Sequence, residues 1–104
     1  MSRRVRLCGK RDVEPGQMLR IDVPGHPPLA AFNLDGEIHC TTNVCTHQLA
    51  ILTEGFFEGD VIECPLHGGS FNVRTGAPIE FPCTKPLRTY PVIAVGEDLY
   101  IDIE

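Results

Sequence analysis

The chain reads as all-β, and three observations carry that reading. Ten glycines and nine prolines punctuate 104 residues, with no tryptophan, a density that favours short strands and tight turns over long helices. Two segments have the form of β-hairpins. No stretch holds a sustained helical period, and the best candidate, around residues 49–52, is too short to nucleate alone.

Taken in order, "RVRLC" near the start reads as a short strand and "QMLRIDV" (17–23) as a second. "LAAFNL", then Asp35-Gly36, then "EIHCT" reads as a hairpin, because Asp-Gly supplies the positive-φ positions of its turn. "DVIEC" and "SFNVRT" read as short strands on either side of a loop, with Thr75-Gly76 marking another turn. "RTYPVIAV", then Gly96-Glu97-Asp98, then "LYIDIE" reads as a second hairpin. In its last strand Leu99, Ile101 and Ile103 share one face and Tyr100, Asp102 and Glu104 the other, a period of two. The whole predicts a single domain over residues 1–104, a strand framework from both termini with a loop-built subdomain inserted at approximately 42–86. Loops on a rigid scaffold are where sites usually sit.

Composition narrows the function. The formal net charge is −5 and the pI about 5.3, which argues against a phosphate backbone as partner and so against nucleic acid. No apolar run approaches a membrane span. Arg3-Arg4 is followed by polar residues where a leader would need an apolar core. Five cysteines is an odd number, and without secretory context a disulfide scaffold is a poor explanation. The expected compartment is the cytoplasm, where paired Cys and His are better read as metal ligands.

Two of the cysteines and two of the histidines fall as mixed pairs, Cys45-x-His47 and, sixteen residues on, Cys64-x-x-His67. Thiolate with imidazole suits zinc, iron or copper. Structural zinc sites usually pair like with like. One Cys and one His per loop suits a binuclear centre instead, each loop sending its Cys to one metal and its His to the other.

This spacing resembles the ligand signature of Rieske [2Fe–2S] proteins, in which two His replace two Cys on one iron. The resemblance runs through "LTEGFFEGDVIECPLHGGSFNVRTG" and, more loosely, the whole chain, which is similar to the ferredoxins of bacterial aromatic-ring-hydroxylating dioxygenases. It implies a Rieske fold of three small antiparallel β-sheets with the cluster at one tip, and a one-electron carrier that is not itself an enzyme. It implies Cys45 and Cys64 on the inner iron, His47 and His67 on the outer one, and a covering loop at "FPCTKP" (81–86). The implied partners are an NAD(P)H-dependent flavoprotein ferredoxin reductase and a terminal Rieske non-haem iron oxygenase. Gln48 is a departure, since Gly is frequent after this His in such ferredoxins.

Two neutral imidazoles in place of thiolates leave the oxidised cluster neutral and the reduced one singly negative, which raises the potential. The electron is expected on the His-bound iron. Gly68 and Gly69 let the backbone approach the sulfurs. The respiratory branch of the family differs in having a disulfide where Leu49 and Leu66 stand here. It also has hydroxyl donors at the positions of Gly69 and Phe71. Losing those donors disfavours the reduced state, so the expected potential is near the low end of the Rieske range, on the order of −150 mV.

Other readings are weaker. A zinc-stabilised interaction module would fit the residue types but not their mixed pairing. A plant-type ferredoxin pattern starting at Cys40 and Cys45 fails because Gln48 stands where its third Cys belongs. A self-contained oxygenase would need a further two-His, one-carboxylate iron, and only His26 and His39 remain. A Rieske subunit serving another acceptor, such as a non-aromatic hydroxylase or a nitrite-reductase-type complex, is the nearest alternative. Cys8, Cys40 and Cys83 read as small packing residues, with Cys83 in the covering loop. Asp35, Glu37, Glu54, Glu58, Asp60, Asp98 and Asp102 read as ordinary surface charges.

Overall fold

The computed structural model describes residues 3–46, 50–66 and 68–103. In chain order their strands are β1 (Arg3–Gly9), β2 (Met18–Ile21), β3 (Leu29–Leu34), β4 (Glu37–Thr42), β5 (Phe56–Glu58), β6 (Val61–Glu63), β7 (Ser70–Asn72), β8 (Pro78–Glu80), β9 (Thr89–Tyr90), β10 (Ile93–Val95) and β11 (Asp98–Ile103). They make three antiparallel sheets in the orders β1-β11-β10, β2-β3-β4-β9 and β5-β6-β7-β8. No α-helix occurs among the described residues, and the 49–52 region leads only into a 3₁₀ turn at Leu52–Glu54. The all-β, three-sheet expectation therefore holds.

The β3–β4 hairpin forms as its turn residues dictate. Asp35 and Gly36 have φ of 53° and 94°, the two positive values of a type I′ turn, whose twist matches that of the flanking strands. Asn33 closes it, accepting from the Gly36 N–H at 2.7 Å and donating to the Val13 carbonyl at 2.7 Å. Every residue of β3 is buried, which its nearly unbroken apolar run anticipates. Alternate side chains feed two cores. Ala30, Phe32 and Leu34 join the core containing Cys45, Cys64 and Cys83. Leu29 and Ala31 join a second with Cys8, Cys40, Leu99, Ile101 and Ile103. The strand thus ties the framework to the cysteine-bearing region.

The terminal hairpin follows its period of two, with Leu99, Ile101 and Ile103 buried and Asp102 exposed. The sequence segment 88–95 departs from its reading as one strand. It divides into β9, paired with β4, and β10, paired with β11. Pro91 lies in the gap, and its missing N–H suits a strand break. Strands β5 and β8 lack a readable pattern in the sequence, being three residues each.

Candidate metal centre

Two loops present the cysteines, and their backbones close alike. In the first, Val44 and Ile51 form an isolated antiparallel bridge, and the Cys45 N–H donates to the Ala50 carbonyl at 2.9 Å. In the second, Glu63 pairs with Ser70, and the Cys64 N–H donates to the Gly69 carbonyl at 2.7 Å. Each cysteine is therefore the first residue of a six-residue closure, and in the sequence His47 and His67 fall inside these closures. The positions of His47, Gln48, Leu49 and His67 lie outside the described residues.

Cys45 and Cys64 are brought together. Both are buried, at 3% and 2% exposure, and both belong to the core beneath the β5–β8 sheet. Burial pushes the Cys64 thiol above its ordinary pKa, the Leu66 backbone hydrogen bond pulls it down, and the nearby Cys45 sulfur pushes it up again. Two buried thiols placed together suit a metal centre, whose positive charge would compensate both thiolates. Among the described residues no three His, Cys, Asp or Glu side chains gather as a metal-holding group. The two buried thiols fit part of a metal centre's donor set.

Side chains not singled out in the sequence hold the first loop. Asn43 is fully buried and brackets Thr53, donating to its Oγ1 and accepting from its N–H, both at 2.9 Å. The Asn43 carbonyl also accepts from the Leu52 N–H at 2.9 Å. Thr46 Oγ1 donates to the Lys85 carbonyl at 2.7 Å, tying the loop to the 81–86 segment. No sequence signal marks this brace, since an Asn two residues before Cys45 shows its role only through its burial, which obliges the amide to be satisfied.

The second loop depends on glycine. A Cβ at Gly69 would collide with Cys83 Sγ and lie 3.3 Å from Cys83 Cβ. Gly68 is required for a different reason, its φ of +72°. Cys83 Sγ itself stands 3.7 Å from Cys45 Sγ, and burial first, then that sulfur, raise its pKa to about 12. Cys8 and Cys40 pack in the other core, burial holding the Cys40 thiol up at about 12. His26 and His39 are engaged elsewhere, with the Pro27 carbonyl at 2.8 Å and Glu37 at 2.6 Å. Two acids read as plain surface charges are ion-paired instead, Asp102 with Arg4 and Asp98 with Arg6, each at 3.0 Å.

Two apolar side chains are exposed beside the loops. Leu66 is 47% exposed and Phe81, at the start of the 81–86 segment, 83%. Phe71, by contrast, is fully buried between Ile62 and Pro78 in the sheet register.

Comparison with known proteins gives these features a family context. A family model described as the Rieske [2Fe-2S] domain matches residues 3–91. The 3-phenylpropionate/cinnamic acid dioxygenase ferredoxin subunit of Escherichia coli (strain K12) is 43% identical over 101 residues, covering 96% of this chain and 93% of that protein. The solved structure of the Sphingomonas yanoikuyae B1 ferredoxin superposes with a TM-score of 0.93 at 43% identity, covering 98% of this chain and 100% of that one. A chain in the complex of reduced oxygenase and oxidized ferredoxin in carbazole 1,9a-dioxygenase superposes with a TM-score of 0.90 at 41% identity, covering 94% of this chain and 91% of that one.

Proposed function

The chain belongs to the Rieske [2Fe–2S] family, and on that premise we propose how its own residues hold the cluster and which partners it serves. It is an electron-transfer component, a ferredoxin of the dioxygenase type, rather than a catalytic subunit. When bound, the cluster supplies a single reversible electron.

Cys45 and Cys64 hold the inner iron and His47 and His67 the outer one. The observation that carries this is the pair of equivalent closures, each opening on a buried cysteine whose N–H is already satisfied. That leaves both sulfurs free to ligate from positions fixed by the backbone. The cluster-binding unit spans about 42–86 within one domain, and the remaining strands are its scaffold.

Electrons come from an NAD(P)H-dependent flavoprotein reductase and go to a terminal aromatic-ring-hydroxylating oxygenase. Support for the acceptor is the likeness to a ferredoxin solved with its oxygenase. Charge supports a brief, steered encounter, the chain being acidic at −5. Docking is at the loop tip, where Leu66 and Phe81 expose apolar surface. No helix among the described residues is long and apolar enough to cross a membrane, and we place the carrier in the cytoplasm.

Iron and acid-labile sulfide determination on single variants tests the ligands. Cys45→Ala, Cys64→Ala, His47→Ala and His67→Ala should each lose the cluster, and a variant retaining two irons and two sulfides would remove that residue from the set. Stopped-flow transfer to an oxygenase tests the docking face. Transient redox interfaces are small, below about 1,200 Å² in total, so Leu66→Asp and Phe81→Asp should each slow delivery about tenfold with unchanged visible spectra. Transfer at the parental rate in both would move the docking face elsewhere.

A further inference from the structure

The four-ligand set, with its two cysteine sulfurs, leaves a third nearby sulfur unexplained. Cys83 Sγ lies 3.7 Å from Cys45 Sγ although the residues are 38 apart in sequence. The side chain is buried, at 5% exposure, and its backbone is anchored by an N–H donated to the Glu80 carbonyl at 3.1 Å. Space for the sulfur exists because residue 69 is glycine; any Cβ there would meet Cys83 Sγ.

A simple packing role accounts for the burial but not for the direction of the sulfur. A thiol that binds no metal has one S–H to place. The acceptor within reach is Cys45 Sγ, which becomes a thiolate on ligation. A thiolate is the better acceptor of the two states, and the cluster as a whole would gain one negative charge on reduction.

We propose that Cys83 is a potential-setting residue, whose S–H donates a hydrogen bond to the Cys45 sulfur and favours the reduced cluster. The donor enters from the 81–86 segment into the space where the side chain of residue 69 would begin. The S–H group is a weaker donor than O–H, so the expected effect on the potential is modest.

The inference rests on Cys45 being an iron ligand, and the test separates the two. Protein-film voltammetry of the isolated, cluster-loaded chain reads the potential without any partner. Cys83→Ala should lower the reduction equilibrium constant about threefold to tenfold, roughly 28 to 59 mV for a one-electron couple, with iron content intact. Cys83→Ser, which keeps a donor, should recover at least half of that fall. In resonance Raman spectra, the iron–Cys45 stretch should shift on exchange into D₂O in the parent and not in Cys83→Ala. Gly69→Ala displaces the sulfur and should lower the potential in the parent, yet add no further fall in the Cys83→Ala background.

An unchanged or raised potential in Cys83→Ala with an intact cluster would overturn the proposal, as would equal potentials for the Ala and Ser variants. Failure of the underlying ligand assignment looks different, because Cys45→Ala would then retain its iron.

Discussion

The loop from Cys45 to Ala50 is braced by side-chain hydrogen bonds, whereas the loop from Cys64 to Gly69 is braced by close packing against glycine. Their backbone closures are nearly interchangeable, each an N–H donated five residues ahead. What surrounds them is not. Asn43, just before the first loop, and Thr46, within it, hold it through Thr53 and the Lys85 carbonyl. The second has Gly69 against Cys83, and its entry at Glu63 lies against Gly55. The same local geometry is therefore maintained by enthalpic brackets on one side and by absent side chains on the other. A bracket can be weakened by degrees. Contact on glycine fails abruptly, because a new methyl has nowhere to go.

That contrast is broken most severely at Gly55. This residue ends the 3₁₀ turn that follows the first loop, its N–H bonding Leu52. A Cβ there would collide with the Glu63 carbonyl oxygen and lie 3.1 Å from Pro65 Cδ. Both obstacles sit at the second loop, and one is backbone. Gly55→Ala should cost about 3 kcal/mol or more, read as a lower denaturant midpoint, and should reduce iron content in proportion. A midpoint equal to the parent's would show that the two loops tolerate sliding past one another.

Asn43→Ala should have the next largest effect. It removes both bonds to Thr53 and leaves a Thr53 N–H without its acceptor. The cost should be about 2 kcal/mol, with the slope of the denaturant transition unchanged. The graded character of the first loop predicts that Asn43→Ala still binds iron. If its iron loss matches that of Gly55→Ala, the distinction between brackets and contact is wrong.

Legibility in the sequence follows the range of the interaction concerned. The β3–β4 turn was readable because Asp35 and Gly36 determine it locally. The alternation of Leu99, Ile101 and Ile103 was readable because a strand has a period of two. The family was readable from the Cys/His spacing because ligand chemistry restricts residue type. The brace on Thr53 was not, since Asn43 looks like any turn residue until its burial is known. Nor was the Gly69–Cys83 contact, which joins segments with no shared local pattern. The contact also means that a serine introduced at residue 69 would displace Cys83 before its hydroxyl could act as a donor. The segment 88–95 was read as one strand because Tyr90, Val92 and Ile93 favour extended backbone, and Pro91 outweighed them by dividing it between two sheets.

The smallest expected effect gives the comparison its baseline. Asp102 lies on β11, whose sheet packs on the other core, and its carboxylate accepts from Arg4 Nε at 3.0 Å. That hydrogen bond first, with the Arg4 charge reinforcing it and slight desolvation opposing, holds the Asp102 pKa below the ordinary carboxylate value. A depressed folded-state pKa contributes stability that is fully present above the unfolded value and is lost as pH falls through the folded one. Asp102→Asn should therefore lower the melting temperature slightly at pH 6. The difference from the parent should shrink below the ordinary carboxylate value of 3.8 and vanish once the parent's Asp102 is protonated. Added salt should also shrink it, as expected for an exposed pair. Because the pair touches neither loop, iron content and electron delivery should match the parent across this range. A loss of iron in Asp102→Asn comparable to that of Asn43→Ala would mean that the loops share their stability with the whole framework, and that the difference between them is not local.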